Sequence, residues 1–300
     1  MRAERLQHWK AHSAALYALA AGRSERTIFS AGADRVVAEW ELGQEEPSAF
    51  AIRVDSTIYS MMHLPGHRLV VGCANGSMYV IDTQQRKELR HLKFHDKGIF
   101  HLVYNPNNDQ LYAGCADGSV SVWNTKDWSL LWHLPMTHQK VRRIALSPNG
   151  QLVVFALGDG RLTIMETQQH KLIFDELAHD ESCNSLAFIG DDQLISGGKD
   201  AHLKRWNLAD GCTLEKAIPA HNFAIYDIIV HPEHEWIATA SRDKTVKLWD
   251  MSLEQKPLRL DRISAKGHIN SVNGLFYQAS SDTLYSCSDD RSICAWRIEA

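Results

Sequence analysis

The sequence predicts an all-β fold assembled from seven consecutive copies of one unit. Three observations carry this reading. A turn acid or amide stands six residues ahead of an apolar anchor seven times, as Asp34/Trp40, Asn75/Ile81, Asp117/Trp123, Asp159/Met165, Asp200/Trp206, Asp243/Trp249 and Asp290/Trp296. Successive turn residues lie 41, 42, 42, 41, 43 and 47 positions apart, the spacing of a structural repeat. Between them, hairpin dipeptides (Asn75-Gly76, Asp117-Gly118, Asn149-Gly150, Asp159-Gly160) separate β-branched and aromatic runs, as expected of short antiparallel strands.

Taken in order, the units end in SAGADRVVAEWE at Glu41, GCANGSMYVID at Asp82, GCADGSVSVWN at Asn124, ALGDGRLTIME at Glu166, SGGKDAHLKRWN at Asn207, TASRDKTVKLWD at Asp250 and SCSDDRSICAWR at Arg297. The run VKLWD places Val246 and Leu248 on one face and Lys247 and Trp249 on the other, the alternation of a strand. Prolines fall mostly in turns, as in Ser147-Pro148 and His231-Pro232. Four strands in about 43 residues suit a blade of a β-propeller better than a helical solenoid.

The last unit stops just after its Trp296 strand and lacks an outer strand of its own. Residues 3–12 (AERLQHWKAH) align without gaps on residues 86–95 (RKELRHLKFH), so that Leu6, His8, Lys10 and His12 match Leu89, His91, Lys93 and His95. Residues 2–9 are therefore expected to form the outermost strand of the last blade, shared with residues 265–300. This covers an open sheet edge and makes residues 1–300 one domain.

Composition narrows the class. Of 300 residues, 44% are hydrophobic and 23% charged, a globular mixture that excludes a disordered or fibrous chain. The 32 basic and 36 acidic residues give a net charge of −4, which supplies no global attraction to nucleic acid or an anionic membrane. No apolar run approaches the roughly 18 residues of a membrane span. Residues 14–20 (AALYALA) belong to the repeat and are not read as a secretion signal. The six cysteines form no C-x-x-C pair, and Cys73 and Cys115 occupy the same place in successive units. They are expected to be free packing thiols in a reducing cytoplasm.

With these residues in hand, the repeat resembles the WD40 family of seven-bladed β-propellers. That family places a His about 21–22 residues ahead of the turn Asp, as do His12, His95, His138, His179, His221 and His268; the second unit has Arg53 or Val54 there. It also places Ser or Thr four residues before the Asp, matched by Ser30, Ser196, Thr239 and Ser286 but not by Val71, Ala113 or Phe155. The resemblance implies four complete polar sets: His12–Ser30–Asp34–Trp40, His179–Ser196–Asp200–Trp206, His221–Thr239–Asp243–Trp249 and His268–Ser286–Asp290–Trp296. The third unit keeps three members, the fourth keeps His138 and Asp159, and the second keeps Asn75 alone, so units two and four are expected to substitute apolar packing. Ser, His and Asp also make up hydrolase triads, but a catalytic set occurs once beside a cleft, and a set repeated in every complete unit is read as structural.

The resemblance further implies partner binding at the wide top face. Its contact positions correspond to Tyr17, Tyr59, Phe100 and Tyr226, to the cations Lys140, Arg142, Lys199 and Arg242, and to smaller residues including Asn184, Asn273, Gly98 and Asp289. Aromatic and Arg side chains on one rim are the types enriched in binding hot spots, and the basic sector suits acidic or phosphorylated groups or a terminal carboxylate. A monomeric, non-enzymatic scaffold for proteins or peptides is the leading expectation, with a propeller hydrolase or lyase acting at the channel mouth as the alternative. Nucleic-acid binding through the basic sector is disfavoured by the net charge. No cofactor is expected, since phosphate-loop and dinucleotide motifs are lacking. His231 and His234 form an H-P-E-H string in a surface turn without further ligands, and no metal is expected there.

Overall fold

The strand at the N-terminus, Arg2–Trp9, pairs with the last strand of the chain, Ile293–Glu299, antiparallel from Arg2 opposite Glu299 to Trp9 opposite Ile293. A computed structural model describes the whole chain except Ala11, Asp210, His234 and Ala300. It contains seven antiparallel four-stranded sheets. Six are built from consecutive strands, and the seventh takes its outer strand from the N-terminus, as the alignment of residues 3–12 with 86–95 led one to expect. The innermost strands are Leu16–Ala21, Ile58–Leu64, Ile99–Asn105, Val141–Leu146, Cys183–Ile189, Ile225–Val230 and Val272–Gln278. Each neighbours the next and the last neighbours the first, so the sheets form a closed seven-bladed propeller. Among the described residues the only helix is one short 3-10 turn, Ala279–Ser281.

The core is divided rather than central. Seven apolar clusters occupy the seven spaces between adjacent blades. The second strand of each blade is covered on both faces, which explains its continuous apolar or small residues, as in Thr27–Gly32 and Thr283–Ser288. Outer strands such as Leu130–Pro135 are largely exposed. A sheet buried on both faces needs no polar alternation, and its strands lose that signature.

The seam is held by more than its ladder. Trp9 is 2% exposed, packs 5.6 Å from Trp40 of the first blade and 6.3 Å from Tyr285 of the seventh, and donates its indole N–H to the Gln44 carbonyl at 2.7 Å. Gln278 and Ser280 of the last blade donate to the Glu25 carbonyl of the first. Trp9→Ala should cost about 3–5 kcal/mol, the usual penalty for emptying an indole-sized core site. Removing residues 1–9 should lower the melting temperature further by baring the Ile293–Glu299 edge. Thermal unfolding of both variants checks this, and unchanged melting would mean that the strand does not close the ring.

Candidate functional site

Two sets of residues repeat around the ring, a polar one inside the blades and a mixed aromatic and polar one at the channel mouth. Inside the blades, the turn residue acts first as a local device. Asp34, Asn75, Asp117, Asp159, Asp200, Asp243 and Asp290 each accept through one side-chain oxygen from the backbone N–H two residues on, the geometry of an Asx turn. The residue after each is left-handed: Gly76, Gly118 and Gly160 in three blades, Arg35, Ala201, Lys244 and Arg291 in the others.

In the complete blades Asp also holds the His, and a chain of bonds runs inward. Trp249 Nε1–H donates to Thr239 Oγ1 at 3.0 Å, Thr239 Oγ1 lies 2.7 Å from His221 Nε2, and His221 Nδ1 lies 2.9 Å from Asp243. The corresponding chains join Trp40, Ser30, His12 and Asp34, Trp206, Ser196, His179 and Asp200, and Trp296, Ser286, His268 and Asp290. With Nδ1–H aimed at the Asp and Nε2 accepting from the hydroxyl, every donor in the chain meets an acceptor; at His268 burial is outweighed by Cys294 and Asp290, which raise the ring to about 9.

Three sequence expectations need correction. The third blade is not a three-member set, because Ser121 supplies the missing hydroxyl: it accepts from Trp123 Nε1–H at 2.8 Å and lies 2.9 Å from His95 Nε2. Ser121 sits directly opposite Ala113 on the next strand, so the hydroxyl has crossed the ladder while staying at the same depth. In the fourth blade Thr137, one residue earlier than His138, donates to Asp159 at 2.6 Å, and His138 is exposed. Apolar substitution in blades two and four is only half of the story. Val71 and Phe155 fill the hydroxyl positions and are fully buried, but Tyr79 donates to Asp55 at 3.3 Å, and Thr163 and Arg161 both donate to Asp175.

Burial opposes ionisation of Asp117, yet hydrogen bonds from Ser119 and His95 outweigh it and hold the carboxyl down to about 2. Asp243 is likewise held below the usual carboxylate range, its burial outweighed by His221 and Thr245. Burial lowers His95 and His221 despite their Asp partners. His95, Cys115 and Asp117 come within 4.8 Å of one another, a spacing that could hold a metal. Their bonding repeats that of other blades: Cys115 donates to the Lys97 carbonyl and accepts from Asp117 N–H, as the hydroxyls of Ser241 and Ser288 do in theirs. Burial pushes its thiol up to about 12, which disfavours a thiolate ligand. His231 lies 2.9 Å from the Tyr277 hydroxyl and packs on Trp236; His234 lies outside the described residues.

At the mouth, each innermost strand begins with a β-bulge between its first and third residues. The seven bulged residues are Tyr17, Tyr59, Phe100, Arg142, Asn184, Tyr226 and Asn273. A bulge re-aims the side chain of its extra residue, and here it sets one side chain from every blade on the wall of a cavity of about 650 Å³ that also receives Lys140 and Asp289. The bulge frees backbone carbonyls, which neighbouring blades satisfy: Asn184 donates to Ile225 O, Asn273 to Leu16 O and Ser60 to Ile99 O. Below this ring Arg143 of blade four reaches Asp227 of blade six at 2.6 Å. Lys199 and Arg242 stand apart from the cavity wall. Lys199 is paired with Glu181, and Arg242 lies over the exposed ring of Phe223.

The aromatic members form a ladder. The rings of Tyr17 and Tyr59 lie 5.6 Å apart edge-on, and those of Tyr59 and Phe100 5.1 Å apart and stacked. Arg142 and Lys140 cover the Phe100 ring at 5.2 and 5.4 Å. Gly98 leaves room for this, since a Cβ there would come within 2.8 Å of the Tyr59 ring.

A closed ring of seven four-stranded blades, five of them braced by a buried Trp–hydroxyl–His–Asp chain and each contributing one side chain to a common mouth, defines a repeat-built propeller. The family model described as WD domain, G-beta repeat matches residues 86–124, 170–207, 212–250 and 261–297, and the chain belongs to the WD40-repeat family. It is similar to nuclear distribution protein PAC1 of Candida albicans, 32% identical over 109 residues that cover 35% of this chain and 21% of that protein. It is similar also to the transcriptional corepressor LEUNIG_HOMOLOG of Arabidopsis thaliana, 31% identical over 39% of this chain and 14% of that one. A third relative is the target of rapamycin complex subunit wat1 of Schizosaccharomyces pombe, 24% identical over 40% of this chain and 36% of that one. The matched segments thus span between about a seventh and about a third of these relatives.

Asp243→Ala should destabilise by about 1–3 kcal/mol, the cost of leaving buried partners unsatisfied. Ser121→Ala should cost as much as Ser196→Ala, whereas His138→Ala should cost nothing measurable. Equal melting of the Ser121 and His138 variants would contradict the crossed hydroxyl. Acid should also weaken the fold in a defined order. Folded-state values depressed for His95, His221, Asp117 and Asp243 mean that stability is full above the unfolded values, near 6.5 for His and 4 for Asp, and is lost as pH falls through the folded ones. Thermal midpoints should begin to decline below about pH 6.5 and fall steeply below about pH 4. A midpoint constant from pH 7 to 3 would contradict the assignment.

Proposed function

We propose that the protein is a non-enzymatic scaffold that docks partner proteins on the mouth of its propeller. The observation that carries this is the ladder of Tyr17, Tyr59 and Phe100, capped by Arg142 and Lys140, on the wall of an open cavity. Aromatic and Arg side chains gathered on a concave, partly desolvated surface are where binding energy concentrates. The relatives include a complex subunit, which agrees with a role in assemblies.

A hydrolase reading has less support. In five blades the Ser or Thr hydroxyl is already engaged by a Trp N–H and a His ring deep in the blade, so none is poised to attack a substrate. The five buried thiols and one half-buried one, all free, fit a reducing cytoplasmic setting. Among the described residues no helix is long and apolar enough to cross a membrane.

The test is affinity capture from native lysate followed by comparison of variants on the captured partner. Tyr59→Ala and Phe100→Ala should each weaken binding by about 2 kcal/mol or more if they are hot spots, with melting unchanged. Arg86→Ala, on the outer flank of blade two, should bind normally. Equal binding by mouth and outer-flank variants would overturn the proposal.

A further inference from the structure

The mouth is electrically polarised along its aromatic ladder. At one end, Arg142 donates Nε–H to Asn184 at 3.2 Å and forms no ion pair among the described residues, while its neighbour Arg143 is neutralised by Asp227. Its guanidinium is half-buried, and burial lowers its pKa. Lys140, over the same Phe100 ring, is also without a carboxylate partner among the described residues. At the other end, Asp289 accepts from Asn273 Nδ2 at 2.7 Å and forms no ion pair among the described residues. It stands close enough to Tyr17 to help burial raise that hydroxyl's pKa. Around the ring the order is therefore Asp289, Tyr17, Tyr59, Phe100, then Arg142 and Lys140.

Resting on the docking reading above, we infer that the mouth selects an extended partner segment carrying a basic residue at one end and an acidic residue at the other, laid along the three rings. Three steps of 5.6, 5.1 and 5.2 Å separate Tyr17 from Arg142 along the ladder. At roughly 3.3 Å per residue of extended chain, the ladder from Tyr17 to Arg142 is about five residues long and Asp289 lies beyond its Tyr17 end, so the two charges of the ligand stand about five residues or more apart, with apolar or aromatic side chains between them. The acidic group is a carboxylate. One guanidinium with free Nη donors matches a planar two-oxygen acceptor in a bidentate pair, and Lys140 adds a second positive charge. The basic group meets Asp289, which lines the cavity. Polarity of this kind fixes the direction in which a segment lies, because the reversed orientation sets like charges against each other at both ends.

The test uses an immobilised library of hexapeptides with Lys, Glu or Ala at each end and Phe, Leu or Ala between, read by retention of the fluorescently labelled intact protein. Peptides with Lys at one end and Glu at the other should be retained at least tenfold better than neutral ones. Arg142→Glu should invert the preference at the acidic end, from Glu to Lys, and Lys140→Glu, at an exposed position, should shift it the same way if the Arg142 variant melts early. Asp289→Lys should invert the preference at the basic end. Replacing Glu by phosphoserine should not improve retention; a phosphate requirement would overturn the carboxylate assignment. Retention that depends on Tyr59 and Phe100 but ignores end charge overturns the inference and leaves the docking reading standing. A library from which the native protein and the Tyr59→Ala/Phe100→Ala variant retain the same peptides, or none, overturns both.

Discussion

Everything else in this molecule depends on the pairing of residues 2–9 with residues 293–299. A β-sheet wound into a ring has no free edge along the circle only if its first and last blades are joined, and here the joint is a full outer strand contributed from the opposite end of the chain. The seven apolar clusters lie between blades rather than within them. Opening the seam therefore removes one entire core, the cluster of Trp9, Trp40 and Tyr285, as well as one hydrogen-bonded ladder. Closure also fixes the geometry of the mouth, since Asn273 of the last blade reaches Leu16 of the first.

Rigidity inside the blades and adaptability at the mouth come from two different uses of the same repeat. The Trp–hydroxyl–His–Asp chain ties the loop between blades to the strands of the next blade, and it tolerates moving the hydroxyl across the ladder from position 113 to position 121 because only the oxygen's place matters. The bulge at the start of each inner strand leaves the ladder intact below it and frees one side chain per blade to vary. That variation puts rings on blades one to three and six, a cation on blade four and amides on blades five and seven. A propeller built in this way can change the residues of its mouth without changing its fold.

Much of this was legible in the residues. The period, the blade count, the N-terminal strand and the WD40 membership follow from turn acids, anchors and the likeness of residues 3–12 to 86–95. Four complete polar sets were also readable, because their members hold constant spacing. Ser121 was not, since it lies outside the pattern's hydroxyl position and is placed only by strand pairing. Thr137 was hidden by the more conspicuous His138 beside it. The mouth residues could be named by resemblance, yet their common physical cause, a bulge in every blade, leaves no mark in composition or alternation. Pairing of Arg143 with Asp227 and of Lys199 with Glu181, which decides which cations stay free, is likewise visible only in three dimensions.

Where a partner touches the ring decides between the mouth and the blade flanks. Backbone amide hydrogen exchange of the intact protein, free and with its captured partner, tests this most directly because it reports every blade at once. Docking at the mouth predicts slowed exchange confined to residues 13–17, 55–59, 96–100 and 138–142, with the outer strands unchanged. The outer strands of blades three and four expose Leu131, Trp132, Leu172 and Ile173, an apolar flank on which a partner could also rest. Protection confined to Leu130–Pro135 and Leu172–Leu177, with the mouth unaltered, would contradict the account.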